Sequence, residues 1–107
     1  MTVVIVADRA FDATVDHVWF PSFTRFAPGA LAALARLPHL RSASFADTDL
    51  DDAAGLDQLV HLPSLRVLLV DLRGEVTLEF LRALSARMPR CAVTIKGRGE
   101  LRAGEWA

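Results

Sequence analysis

The sequence predicts a single α/β domain with about four short parallel strands on one face and helices on the other, stacked as a short solenoid. Three observations predict it. Leu31, Leu34, Leu37, Pro38, Leu40 and Arg41 read L-x-x-L-x-x-L-P-x-L-R, and Leu56, Leu59, Leu62, Pro63, Leu65 and Arg66 repeat the pattern twenty-five residues on. A fixed period of this size marks units that bury their apolar faces on one another. Apolar pairs two residues apart follow each copy, Ala43/Phe45 and then Leu68/Val70, and Val93/Ile95 closes the series. That alternation belongs to a strand with one buried face. Between the last two pairs, Leu78, Leu81, Leu84 and Met88 recur at helical spacing.

Composition bounds the rest. The 107 residues suffice for one domain, 1–107, and are too few for two. A hydrophobic content of 52% fills a core and excludes a disordered chain. A net charge of −1 argues against a general nucleic-acid binder, which is usually basic. The basic residues are eleven arginines and one lysine, Lys96, which reads as the codon bias of a GC-rich, bacterial genome. The lone Cys91 excludes an internal disulfide and fits a reducing cytoplasm. No apolar run is long enough to span a bilayer, so no membrane association is expected. The start, Met1 to Asp8, lacks a basic region and meets an acid too early for a signal peptide.

In chain order, residues 3–7 are a β-branched run and predict the first strand. Val6-Ala7-Asp8 matches Phe45-Ala46-Asp47 at an offset of 39, which makes the first unit a later unit with an insertion. The insertion, within 12–29, gathers Trp19, Phe20, Phe23 and Phe26 around Pro21 and Pro28-Gly29. It predicts an N-terminal cap, since terminal repeats are atypical, with an aromatic docking patch as the alternative. Ala30–Arg36 is a helix stopped by Pro38, and 40–45 is a strand. The acidic run Asp47 to Asp52 is a turn whose last residue caps a helix over about 53–61. Leu65–Val70 is the third strand, Thr77 caps the helix over 78–87, and 91–95 is the last strand. The polar, Gly-rich 97–107 predicts a loose C-terminal cap.

The L-x-x-L-x-x-L-P-x-L runs and the pairs Val4/Val6, Ala43/Phe45, Leu68/Val70 and Val93/Ile95 resemble leucine-rich repeats across most of residues 1–101. The family's asparagine or cysteine ladder position holds Arg9, Thr48, Arg73 and Arg98 here, so no Asn ladder forms. The resemblance implies a parallel sheet on one face and binding of macromolecules through it.

The candidate chemistry is sparse. Asp47, Asp49 and Asp51 begin like a calcium loop, but Asp52 stands where the turn glycine belongs and Gln58 where the bidentate glutamate belongs. The D-x-D also resembles a haloacid-dehalogenase nucleophile motif, and it supplies the alternative function, a small metal-dependent hydrolase using Asp47 and Asp49. His17, His39 and His61 are spaced off the repeat and predict no shared metal site. Cys91 reads as inert core. No metal or cofactor is expected, and no enzyme activity. The expectation is a protein–protein interaction module, an immunity, inhibitor or adaptor protein, with a purely structural oligomer subunit as a third reading. Alternation sends Ser44, Ala46, Leu69, Asp71, Thr94 and Lys96 to the open sheet face, flanked by Arg41, Arg66 and Arg73. These arginines predict a partner with an acidic patch. Val3, Ile5, Trp19 and Phe20 are the candidates for an edge contact and for a homo-oligomer.

Overall fold

The computed structural model describes residues 3–20, 24, 26, 27, 29–45, 56–62, 64–71 and 77–107. Among these the strands are β1 (Val3–Val6), β2 (Arg9–Asp12), β3 (His17–Trp19), β4 (Ser42–Ser44), β5 (Val67–Val70), β6 (Ala92–Ile95), β7 (Gly99–Arg102) and β8 (Glu105–Trp106). One α-helix, α1 (Leu78–Arg87), and two 3-10 segments, Ala30–Arg36 and Leu56–His61, accompany them. The architecture is mixed α/β. A six-stranded mixed sheet runs in the order β3-β4-β5-β6-β7-β8, and β1-β2 forms a separate two-stranded sheet.

The strands from β3 to β6 are parallel, and their register keeps the period of the sequence. Val18 lies opposite Ala43, Ala43 opposite Leu68, and Leu68 opposite Val93. The side chains at these positions, and at Phe20, Phe45, Val70 and Ile95, point into one core shared with Leu31, Leu34, Leu56, Leu59, Leu81 and Leu84. Each such leucine contributes about 1.5–3 kcal/mol when it leaves water.

The helical segments differ in type, and their leucine spacing explains why. Leu31, Leu34 and Leu37 are three apart, as are Leu56, Leu59 and Leu62. A 3-10 helix has three residues per turn, so such a row falls on a single ridge. Both segments are 3-10 rather than α. Leu78, Leu81, Leu84 and Met88 are spaced by three, three and four, the last step leaving the 3-10 ridge, and that segment is α-helical. Thr77 caps it as expected: the Phe80 amide donates to Thr77 Oγ1 at 3.1 Å. Pro38 and Pro89 follow Leu37 and Met88, whose backbones have left the helical region. Gly29 opens the first 3-10 segment at φ 74, a conformation that favours glycine.

Two expectations are corrected. The first strand of the parallel set is not 3–7 but β3, inside the region read as an aromatic insertion. Residues 3–6 instead turn back on 9–12 as an antiparallel hairpin. The tail is not loose. Gly99–Arg102 pairs antiparallel with β6, and Glu105–Trp106 pairs with it in turn, so the sheet continues through a hairpin. The proposed helix cap Asp52, the acidic run from Asp47, and Pro21, Phe23, Pro28, Ala46, Pro63 and Arg73 lie outside the described residues. No described helix is long and apolar enough to cross a membrane.

Candidate functional site

With Val18, Ala43, Leu68 and Val93 facing the core, the residues on either side of each face outward. The outward positions are His17 and Trp19 on β3, Ser42 and Ser44 on β4, Val67 and Leu69 on β5, and Ala92 and Thr94 on β6. They form two rows across four strands, and none is an acid, a lysine or an arginine. Trp19 is 51% exposed and Val67 44%, while Leu69 is half-buried between its neighbours. His17 Nδ1 meets Ser42 Oγ one strand over, which ties the first row together at its start.

Charge sits at the ends of these four strands and on the neighbouring β7, where Glu100, opposite Thr94, faces outward and pairs with Arg102 at 3.0 Å. Asp16, Arg41 and Arg66 occupy equivalent positions just before β3, β4 and β5. The Arg41 and Ser42 amides donate to the Asp16 carbonyl at 2.7 and 3.0 Å. The Arg66 and Val67 amides donate to the Arg41 carbonyl at 2.7 and 3.1 Å. The column therefore reads Asp16, Arg41, Arg66, so Arg41 has an acid on one side and a like charge on the other. At the other ends lie Asp71 after β5 and Lys96 after β6, where the Lys96 amide donates to the Val70 carbonyl at 2.8 Å.

The expected site residues thus separate into groups. Leu69, Asp71 and Lys96 belong to the sheet face or its rim, and Arg41 stands at the rim just before β4, where it also lines a groove with Asp16 and His39. Trp19 belongs to the same face, one row element that its aromatic surroundings concealed, and the Arg9 guanidinium lies over its ring at 4.6 Å. Such a contact keeps one side of the indole covered from within the molecule. Phe20 is corrected. It is 2% exposed and stacks on Phe45 with centroids 5.2 Å apart, so it is core and cannot meet a partner. Arg73 lies outside the described residues. Arg66 is exposed, but it turns toward a cavity that Arg87 and Arg90 also line. It marks the edge of the face rather than its centre. Val3 and Ile5 are exposed on β1, in the separate hairpin and not at an edge of the parallel sheet.

His17, Ser42, Ser44, Val67 and Thr94 complete the face and were not singled out beforehand, except Ser44 and Thr94. Subtracting the period from Ser44 gives Trp19, and from Ser42 gives His17, so the repeat itself carried the signal. Among the described residues no three His, Cys, Asp or Glu side chains converge to hold a metal. Cys91 is buried, and that burial pushes its thiol from 9.0 up to about 11. The nearby guanidinium groups of Arg102 and Arg66 oppose the shift without cancelling it. A thiol so protonated is a poor nucleophile at neutral pH. No family model, curated protein or solved structure matches the chain.

Proposed function

We propose that the chain is a short leucine-rich-repeat-like solenoid acting as a protein–protein interaction module, an immunity, inhibitor or adaptor protein that grips its partner through the open sheet face. The observation that carries this reading is the composition of the face. Across four strands its described outward positions are small, hydroxyl or apolar apart from His17, with Trp19 and Val67 about half exposed. A solvated sheet face commonly mixes in lysine and glutamate; the outward side chains of β3 to β6 include neither, and charge surrounds them at the strand ends, at Arg9 over Trp19 and at the Glu100–Arg102 pair on β7. Leu69 and Trp19 are the apolar anchors. Arg41 and Lys96 at the rim favour a partner with an acidic patch, whose approach slows as salt rises.

Affinity capture from the source cell, with the wild-type protein beside Leu69→Asp, tests it. Leu69 faces outward, so the variant is expected to keep its circular dichroism spectrum. A protein retained by the wild type and lost by Leu69→Asp supports the reading, and its purified form should bind more slowly at high salt. If both forms retain the same proteins equally, the sheet face is not the site.

A further inference from the structure

Away from the sheet face, the turns that carry each helix into the next strand lie side by side along one edge of the molecule. Between the second and third of these turns is a cavity of about 210 Å³. Its floor is apolar, built by Leu65, Met88 and Cys91, all buried. Its rim carries three arginines from two different turns, Arg66, Arg87 and Arg90. None of the described residues lining it is acidic. Arg87 also lies in the last turn of α1, where the helix end carries roughly half a negative charge. That offsets one guanidinium in part, and Arg66 already donates through Nη1 to the Leu65 carbonyl at 3.3 Å, so Arg87 and Arg90 are the arginines an anion would meet.

The next turn along the same edge shows that this is not a general property of the fold. The groove at a neighbouring step is lined by Thr14 and Asp16 from before β3, by Pro38, His39 and Arg41 from the first turn and by Ser64 from the second, and is mixed in charge.

The geometry points to a binding site for the C-terminal residue of a polypeptide, its apolar side chain on the floor and its free carboxylate against the arginines. Size decides between occupants. An engineered cavity of about 150 Å³ holds a benzene ring, whereas pockets for larger free ligands run from roughly 300 Å³ upward. The cavity here fits one branched or aromatic side chain and one anionic group. Arginine suits a carboxylate because its planar fork donates two parallel hydrogen bonds. A chain end supplies both features on a single residue. This inference goes beyond the sheet-face reading and does not rest on it, since Trp19 and Leu69 take no part.

The test is an amide-shift titration of the full chain by NMR with acetyl-Gly-Gly-Leu bearing a free carboxylate. The expected result is saturable shifts at Met88, Arg90 and Cys91. The same peptide as its C-terminal amide should bind roughly tenfold or more weakly, the loss of a charge-assisted hydrogen bond. Acetyl-Gly-Gly-Gly acid should also bind more weakly, for want of a side chain on the floor. The exposed pair Arg87→Gln with Arg90→Gln should fold and lose the preference for acid over amide. Leu69→Asp should leave the titration unchanged, which separates this site from the sheet face. Equal binding of acid and amide, equal binding of the leucine and glycine acids, or no shifts at these amides with the leucine acid overturns the assignment.

Discussion

The hairpin β1–β2 at the N-terminal end and the hairpin β7–β8 at the C-terminal end use the same turn and join the molecule in different ways. Both close over two residues held at positive φ, Ala7 and Asp8 at 50° and 63°, Ala103 and Gly104 at 50° and 84°. This is the hairpin turn whose twist suits two antiparallel strands. The C-terminal hairpin attaches by main chain. β7 takes the free edge of β6, and the tip docks on α1, where the Gly104 amide donates to Ser85 Oγ at 3.1 Å. The N-terminal hairpin forms its own sheet and attaches by side chains. Phe11 of β2 reaches Phe20 edge-on at 5.7 Å, and Phe20 contacts Phe26 and Phe45 as well. The end of a set of parallel strands exposes both backbone and core. One cap answers mainly the first problem and the other mainly the second.

The comparison breaks most sharply at Phe20, the ring that meets three others. Phe20→Ala should cost about 3–5 kcal/mol, the range for an aromatic removed from a core. That is a large part of the usual total of roughly 5–15 kcal/mol. The two tryptophans allow the ends to be followed separately, because Trp19 is on β3 and Trp106 on β8. In the Trp106→Phe background, urea unfolding followed by Trp19 should shift to markedly lower denaturant on Phe20→Ala. A shift of no more than about 1 kcal/mol, the size of a surface change, would mean the aromatic cluster does not hold the N-terminal end.

The same contrast explains what was legible in the sequence. The middle units were, down to the inward residues Ala43, Phe45, Leu68, Val70, Val93 and Ile95, because L-x-x-L-x-x-L-P-x-L-R repeats the helix and the strand together. The first parallel strand was hidden. No leucine helix precedes Val18 and Phe20, and a hairpin stands in its place, so the aromatic residues read as an insertion. The β-branched run at 3–6 was a true strand assigned to the wrong sheet, since β propensity carries no information on partners. The C-terminal hairpin was misread because its glycines, which supply positive φ at turns, resemble the composition of a loose tail. Of the candidate site, Leu69 and the rim charges followed from alternation alone. The turn of Arg66 away from the face did not, because it lies before the strand, where alternation no longer sets direction.

Gly104 tests the C-terminal attachment. A side chain there would place Cβ 3.1 Å from Ala86 Cβ and 3.4 Å from the Arg82 carbonyl, at a backbone φ of +84°. The left-handed conformation alone costs roughly 1–2 kcal/mol for a residue with a Cβ. Gly104→Ala should therefore destabilise by about that amount or somewhat more. In the Trp19→Phe background, the emission of Trp106 should shift as the tip lifts from α1. An unchanged midpoint would show that the tip does not rest on the helix.

The smallest effect is expected at the equivalent turn of the other hairpin, and it has the opposite sign. Ala7 and Asp8 hold the same positive φ values without a glycine. Asparagine followed by glycine is the pair this turn favours, since both tolerate the left-handed region. Asp8 is exposed, and Ala7 is half-buried against the edge of the core, where the short asparagine side chain can still turn to solvent. The double change Ala7→Asn with Asp8→Gly should stabilise the protein, by up to about 1 kcal/mol once the greater freedom of glycine in the unfolded chain is subtracted. The gain appears in full only if the hairpin unfolds together with the core. Should the Trp19 midpoint in urea stay fixed while amide exchange slows in β1 and β2, the hairpin opens on its own, and its aromatic attachment is the weaker of the two caps.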